Sequence, residues 1–112
     1  MATITFPFTS FSEFNRDAGG DVWFAHAEDR PLSFFAGIEV RGWESVRKIK
    51  TGLETIDLFA FLTTEPNVEV GAIHPKAMPV ILPPEAWEPW LGGAPVEAFQ
   101  HPAPDDLLTI VA

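Results

Sequence analysis

Prolines punctuate the chain after His74 and leave no room there for a long helix. The first five are Pro75, Pro79, Pro83, Pro84 and Pro89. Because proline fixes φ and lacks a backbone N–H, this spacing permits only short extended segments and turns. We expect a buried strand at residues 80–82. One helical turn should begin at Pro84, where a missing N–H costs nothing, and Pro89 should interrupt it.

Four runs rich in Phe, Ile, Val and Thr predict β-strands upstream. They are residues 4–8, 22–27, 32–40 and 56–63. Residues typical of turns lie between them, as at 18–21 and 28–31, so we expect an antiparallel meander. Residues 41–52 hold four of the seven basic residues and are expected to form a solvated loop. A second short helix at 95–99 and a last strand at 107–111 complete an α+β fold that is mostly antiparallel β.

Composition limits the possible functions. The 112 residues are expected to form a single domain, 1–112, and they contain no cysteine, so thiol nucleophiles, disulfides and thiolate metal sites are excluded. Residues 1–50 carry six Lys and Arg against seven Asp and Glu, whereas residues 51–112 carry one against nine. Such a chain repels phosphate at long range, so any DNA contact must be local. We expect no metal and no cofactor.

No apolar run reaches the length of a membrane span, and the first residues lack the pattern of a signal peptide. We therefore expect a cytoplasmic protein with no membrane partner. Four tryptophans are present. They would suit base stacking, but basic neighbours are few, and core packing is expected for most of them.

Two residues are candidates for proton chemistry. His74 precedes Pro75, which favours an extended backbone at His74. The apolar run before His74 suggests that this residue lies at the end of a strand. A lone histidine often serves only as a structural hydrogen bonder, yet imidazole also suits proton transfer near neutral pH. Glu13 lies between Phe11 and Phe14, where burial is costly unless the carboxylate has a partner. The alternative is an exposed glutamate that keeps an edge strand soluble.

Several short motifs resemble those of the SOS response-associated peptidase (SRAP) family. They are TSFSEF at 9–14, TTEPN at 63–67, IH at 73–74, MPVILP at 78–83 and WEPWL at 87–91. Members of that family react with abasic sites in single-stranded DNA, and their fold is a sheet or partial barrel with short helices. The resemblance implies that Glu13 and His74 are catalytic and shuttle protons for the ring-opened sugar aldehyde. Lys76 would contact a DNA phosphate where members carry an arginine; the alternative is a solvated lysine.

The resemblance covers the chain from about Thr3 to the final strand, but only the C-terminal half or so of a usual domain. The family's nucleophilic cysteine has no counterpart, since Ala2 follows Met1 here, and the upstream NARxE-like motif is also absent. An Ala2 amine could replace the thiol only if it reached Glu13 and His74. We expect a truncated SRAP-like domain that is inactive alone or pairs with a complementary half carrying the cysteine. The alternative is a non-catalytic, acidic protein-interaction or homo-oligomeric module, and either case predicts exposed strand edges or apolar surface.

Overall fold

The computed structural model describes residues 2–50 and 52–111. Its strands are β1 (Ala2–Phe8), β2 (Phe11–Asn15), β3 (Gly20–Ala25), β4 (Ser33–Lys48), β5 (Gly52–Phe61), β6 (Thr63–Thr64), β7 (Met78–Pro79), β8 (Ile81–Leu82) and β9 (Thr109–Val111). Its α-helices are α1 (Val68–Gly71) and α2 (Trp87–Leu91), with 3₁₀ turns at Pro84–Ala86 and Val96–Ala98. Over these described ranges, no helix is long and apolar enough to cross a membrane.

The strands form three antiparallel sheets. The largest has the order β1-β4-β5, and β8 pairs with the first residues of β4; the second has the order β2-β3-β9, and β6 pairs with β7. The predicted α+β class with mostly antiparallel strands is confirmed, and the described strands close no barrel. The predicted meander is wrong at two of its three steps. β3 pairs with neither β1 nor β4, and β1 pairs with β4 instead, because residues 26–32, with Pro31, carry the chain from one sheet to the other.

Ala36 marks the junction between the large sheet and the small β6–β7 sheet. Its N–H donates to the Val80 carbonyl at 2.9 Å, and its own carbonyl accepts from the Leu62 N–H at 3.0 Å. The Val80 N–H closes this triangle by donating to the Leu62 carbonyl at 2.9 Å. Ala36 and Val80 are both buried, so every backbone group here is satisfied inside the protein.

Aromatic rings fill the larger part of the core. Phe8 and Phe35 stack with ring centroids 3.8 Å apart, and Phe11 meets Phe35 edge-on at 5.5 Å. Val70 and Met78 complete this cluster from α1 and β7. The cluster therefore joins β2, the large sheet and the segment that leads to His74.

Trp90 anchors a second core cluster between α2 and β1. Its ring is fully buried, and its Nε1 donates to the Ile4 carbonyl at 2.8 Å. The Thr3 hydroxyl donates to the Trp90 carbonyl, also at 2.8 Å, and Phe99 packs against the ring edge-on. The helical turn predicted after Pro84 therefore exists and carries a core residue. The predicted interruption at Pro89 is wrong, because Pro89 lies in the first turn of α2, where a backbone N–H has no partner within the helix.

The other tryptophans differ in burial. Trp87 is half-buried and donates through Nε1 to the Leu82 carbonyl at 3.0 Å. Trp23 and Trp43, by contrast, are 42% and 48% exposed, so the expectation that most tryptophans pack in the core is wrong for these two. Trp43 lies beyond the part of β4 that β1 covers, so only β5 pairs with the strand there.

The predicted loop at residues 41–52 is wrong. Residues 41–48 form the distal part of β4, residues 49–50 a turn and Gly52 the first residue of β5, whereas residue 51 lies outside the described residues. The two strands make a hairpin whose exposed apolar side chains include Val46, Leu53 and Phe59. Gly42 has a φ of +68° at a bulge where the pairing register shifts, and its N–H donates to the Asp57 carboxylate at 3.0 Å. Basic residues and glycine are typical of loops, but here they occur in an exposed hairpin that contains a bulge.

Candidate functional site

Glu13 owes its half-buried position to the alternation of side chains along β2. Residues two apart in a strand share a face, so Phe11, Glu13 and Asn15 point the same way, while Phe14 points outward and is 63% exposed. Phe11 is buried in the aromatic core. Glu13 follows it at the edge of that core, opposite Val22 of β3, with its side chain only 19% exposed.

His74 follows a helical turn rather than a strand. The interpretation that residues before His74 are extended is wrong, because they form α1 and the turn after it. Asn67 caps α1: its Oδ1 accepts from the Val70 N–H at 3.0 Å, and its Nδ2 donates to the Ala103 carbonyl at 3.3 Å. The His74 N–H then donates to the Val70 carbonyl at 2.7 Å, so the backbone of His74 is fixed to the helix.

The two predicted catalytic side chains meet. His74 Nδ1 lies 3.6 Å from Glu13 Oε2 and 3.2 Å from the Ala77 carbonyl oxygen. A carbonyl only accepts, so Nδ1 carries a proton and donates to Ala77. The longer distance to Glu13 is not a hydrogen bond, and it becomes an ion pair only when the imidazole is charged. With Nδ1 protonated, the neutral ring keeps its lone pair on Nε2, which forms no hydrogen bond to another described residue.

Burial governs the ionisation of Glu13. Partial removal from water raises the pKa of its carboxyl, and the nearby His74, when charged, acts in the opposite direction. The effect of burial is the larger one. Glu13 is therefore a better proton donor near neutral pH than an ordinary exposed glutamate.

Lys76 is exposed in the bend that follows His74, two residues along the chain. Its predicted contact with DNA phosphate stays a prediction. Within residues 2–50 and 52–111, no three His, Asp or Glu side chains lie close enough to hold a metal ion.

A large hollow lies away from Glu13 and His74. It measures about 520 Å³, and Trp87, His101, Ser33 and Leu107 are among its lining residues. Neither Glu13 nor His74 lines it. The acid–base pair instead lies between β2 and the turn after α1. The position of this cavity therefore does not indicate where the two candidate residues lie.

Sequence reasoning missed Asn15. Its Nδ2 donates to the Ile73 carbonyl at 2.8 Å, which links β2 to the residue just before His74. The only sequence signal was its spacing, two residues after Glu13 and thus on the same face of the strand.

Comparison with known proteins identifies the family. The family model described as SOS response associated peptidase (SRAP) matches residues 4–111. A crystal structure of a protein from Bordetella bronchiseptica, a Northeast Structural Genomics Consortium target, is 27% identical with a TM-score of 0.71. The match covers 96% of this chain and 53% of that protein, so this chain spans about half of its length. A search of curated proteins found no significant match. Because the family model matches nearly its entire length, the chain belongs to the SRAP family.

Proposed function

We propose that this chain recognises abasic sites in single-stranded DNA and that Glu13 and His74 move protons for the ring-opened sugar aldehyde. The observation that carries the proposal is the contact between these two side chains, 3.6 Å apart at their nearest polar atoms. They come from distant parts of the sequence. Their side chains are partly shielded, with 19% and 34% exposure, but open enough to meet a substrate.

The arrangement suits addition of a nucleophile to an aldehyde. Such an addition needs a proton delivered to the carbonyl oxygen and a proton removed from the nucleophile. Glu13 supports the first step, because burial raises the pKa of its carboxyl and keeps more of it protonated. His74 supports the second, because its Nδ1–H is held by the Ala77 carbonyl and the Nε2 lone pair is free to accept.

The nucleophile is not a thiol of these residues, since the sequence contains no cysteine. We propose that a second, cytoplasmic polypeptide or segment supplies the thiol and amine. It would also supply most of the positive charge that holds DNA, because residues 51–112 carry one basic residue, Lys76, against nine acidic ones. Lys76 would then add a single local phosphate contact beside His74.

Free cysteine offers a direct test, since its thiol and amine together condense with an aldehyde to form a ring. An abasic single-stranded oligonucleotide is incubated with free cysteine, with and without the purified chain, and ring formation is followed by mass spectrometry. We expect acceleration of about tenfold, below the usual 10²–10⁴ of positioned acid–base groups because the nucleophile is not tethered.

Each control variant carries the same type of substitution as a test variant, so the changes in charge and size are the same. Glu13→Gln and His74→Gln should abolish the acceleration, whereas Glu97→Gln and His101→Gln, both at exposed positions, should retain it. No acceleration by the unmodified chain, or equal loss in all four variants, would overturn the proposal.

A second candidate function is protein association, and the exposed face of the β4–β5 hairpin favours it. Phe59 and Phe61 are 69% and 49% exposed, and a shallow hollow of about 250 Å³ lies among Val40, Leu58 and neighbouring residues. Among the described strands, none pairs with the outer edge of β5. An exposed apolar strand edge is a template for pairing with another chain.

In this second reading the chain is a non-catalytic homo-oligomeric module. Sedimentation should show a dimer that Phe59→Lys dissociates, while the matched exposed change Leu91→Lys leaves it intact. A monomer at high concentration would exclude this candidate.

A further inference from the structure

We propose that Asn15 is a positioning residue that holds the His74 turn against Glu13. The positional part of the inference stands on geometry alone, and its catalytic consequence rests on the function proposed above. Asn15 touches neither reacting group. It acts through the peptide that precedes His74.

One hydrogen bond of Asn15 links β2 to the segment that precedes His74. Asn15 lies two residues after Glu13 on β2, and its Nδ2 donates to the Ile73 carbonyl at 2.8 Å. That bond is partly buried, so water competes for it less than at an open surface. Glu13 and the peptide before His74 are thereby tied to the same short piece of strand.

The Asn15 amide is held through both its nitrogen and its oxygen. The Asn15 Oδ1 accepts from the Ala18 N–H at 2.8 Å, within the turn that joins β2 to β3. The Gly19 N–H closes the same turn on the Arg16 carbonyl at 3.1 Å. Because both ends of the amide are engaged, the side chain cannot rotate freely, and its donor is held ready for Ile73.

Helix α1 also supports the backbone of His74. The N-terminus of α1 is fixed by Asn67 and by Asp105, whose carboxylate accepts from the Val68 N–H at 2.9 Å. His74 is bonded to the end of this helix through the Val70 carbonyl. The helix thus fixes the turn to the core, and Asn15 fixes it to β2. Misplacement of a catalytic group by about 1 Å is enough to cost 10²-fold in rate, which gives this link its importance.

The test measures the electrostatic interaction between Glu13 and His74 in the absence of DNA. The Glu13 carboxyl is titrated by NMR in the unmodified chain and in His74→Gln, which removes the imidazolium. Loss of that neighbouring charge should raise the carboxyl pKa, because His74, when charged, lowers it. The same comparison is then made in the Asn15→Ala background, where we expect His74→Gln to change the carboxyl pKa by less than half as much.

Two further variants separate positioning from general damage. Gly19→Ala strains the same turn, since Gly19 has a φ of +77°, but leaves the amide donor in place, so the full effect of His74→Gln should persist. Asn15→Asp keeps the acceptor for Ala18 and loses the donor for Ile73. It should behave like Asn15→Ala, and it serves as the test if Asn15→Ala does not fold.

An undiminished effect of His74→Gln in the Asn15→Ala background, or in Asn15→Asp when that variant is the one that folds, would overturn the inference. An equally reduced effect of His74→Gln in the Gly19→Ala background would also overturn the inference. The turn, and not the Asn15 amide, would then hold His74 in place. The titration and the free-cysteine assay fail independently. No acceleration by the unmodified chain, together with a weakened effect of His74→Gln in the Asn15→Ala background, refutes only the proposed function. Acceleration by the unmodified chain, together with an undiminished effect in that background, refutes only the role of Asn15.

Discussion

Substituting Gly37 with alanine should destabilise the protein, because Phe6 occupies the space that a side chain would need. Gly37 is buried in β4, paired with Ile4 on one side and Phe61 on the other. An ideal Cβ at Gly37 would lie 2.7 Å from Phe6 Cδ2 and closer still to Cε2, with the Ala60 carbonyl oxygen at 3.1 Å. The Phe6 ring therefore has to move.

The ring has little freedom to do so. Its centroid lies 4.4 Å from that of Phe61 and 5.6 Å from that of Phe59. Overpacking of this kind costs about 1–3 kcal/mol, and each displaced aromatic contact adds roughly 0.5–1.5 kcal/mol. Alanine in a strand regains about 0.5–1 kcal/mol over glycine. We expect a net loss of about 2 kcal/mol in the free energy of unfolding.

Urea unfolding followed by circular dichroism measures this loss, and thermal unfolding should show a fall of roughly 4 °C per kcal/mol. Gly20→Ala is the matched control, because Gly20 also lies in a strand and its added Cβ would meet nothing within 4 Å. The control should be neutral or stabilising. Combining Phe6→Leu with Gly37→Ala should recover about 1 kcal/mol relative to the sum of the single changes. Equal effects of Gly37→Ala and Gly20→Ala, or strict additivity with Phe6→Leu, would refute the reasoning.

Two further predictions follow from buried groups. Trp90→Phe should lower the free energy of unfolding by about 2 kcal/mol, since the Ile4 carbonyl loses its donor and the core loses volume; Trp23→Phe, at a 42% exposed position, should cost less than about 0.5 kcal/mol. Similar losses in the two variants would contradict this. For Glu13, a raised pKa in the folded state means that its contribution to stability is complete below the ordinary pKa of about 4.3 and is lost as the pH rises through the raised value. Glu13→Gln should therefore gain stability relative to the unmodified chain between about pH 4 and pH 7, and a difference independent of pH in chemical denaturation would disprove the assignment.

The strands and short helices were predictable where local chemistry and burial agree. Phe and Ile runs bounded by Gly, Pro and Asp produced β1, β3 and the proximal part of β4, and Pro84 marked the turn before Trp87. The hairpin at residues 41–52 was not predictable in the same way. Its described side chains are mostly exposed, so the sequence there lacks the apolar–polar alternation that marks a half-buried strand. Gly42, with its positive φ at the bulge, is also a residue typical of turns.

The site was only partly predictable. Glu13 and His74 were named from motifs, and the structure brings them together, but the helix before His74 was missed although Asn67 is a typical N-cap. Asn15 could not have been assigned, because its partner is the carbonyl of Ile73, and a backbone carbonyl carries no sequence identity. Contacts from side chain to backbone are the ones that a single sequence conceals.

The Trp90 anchor also governs the order in which this protein can fold. Its hydrogen bonds to Thr3 and Ile4 span 87 and 86 residues, so β1 cannot complete its native contacts until Trp90 has been added. During synthesis, the apolar faces of β1 and its partner strands stay uncovered until Trp90 has been added. Closing the long loop between β1 and Trp90 also slows folding. Newly made chains are therefore most vulnerable to association before Trp90 emerges from the ribosome.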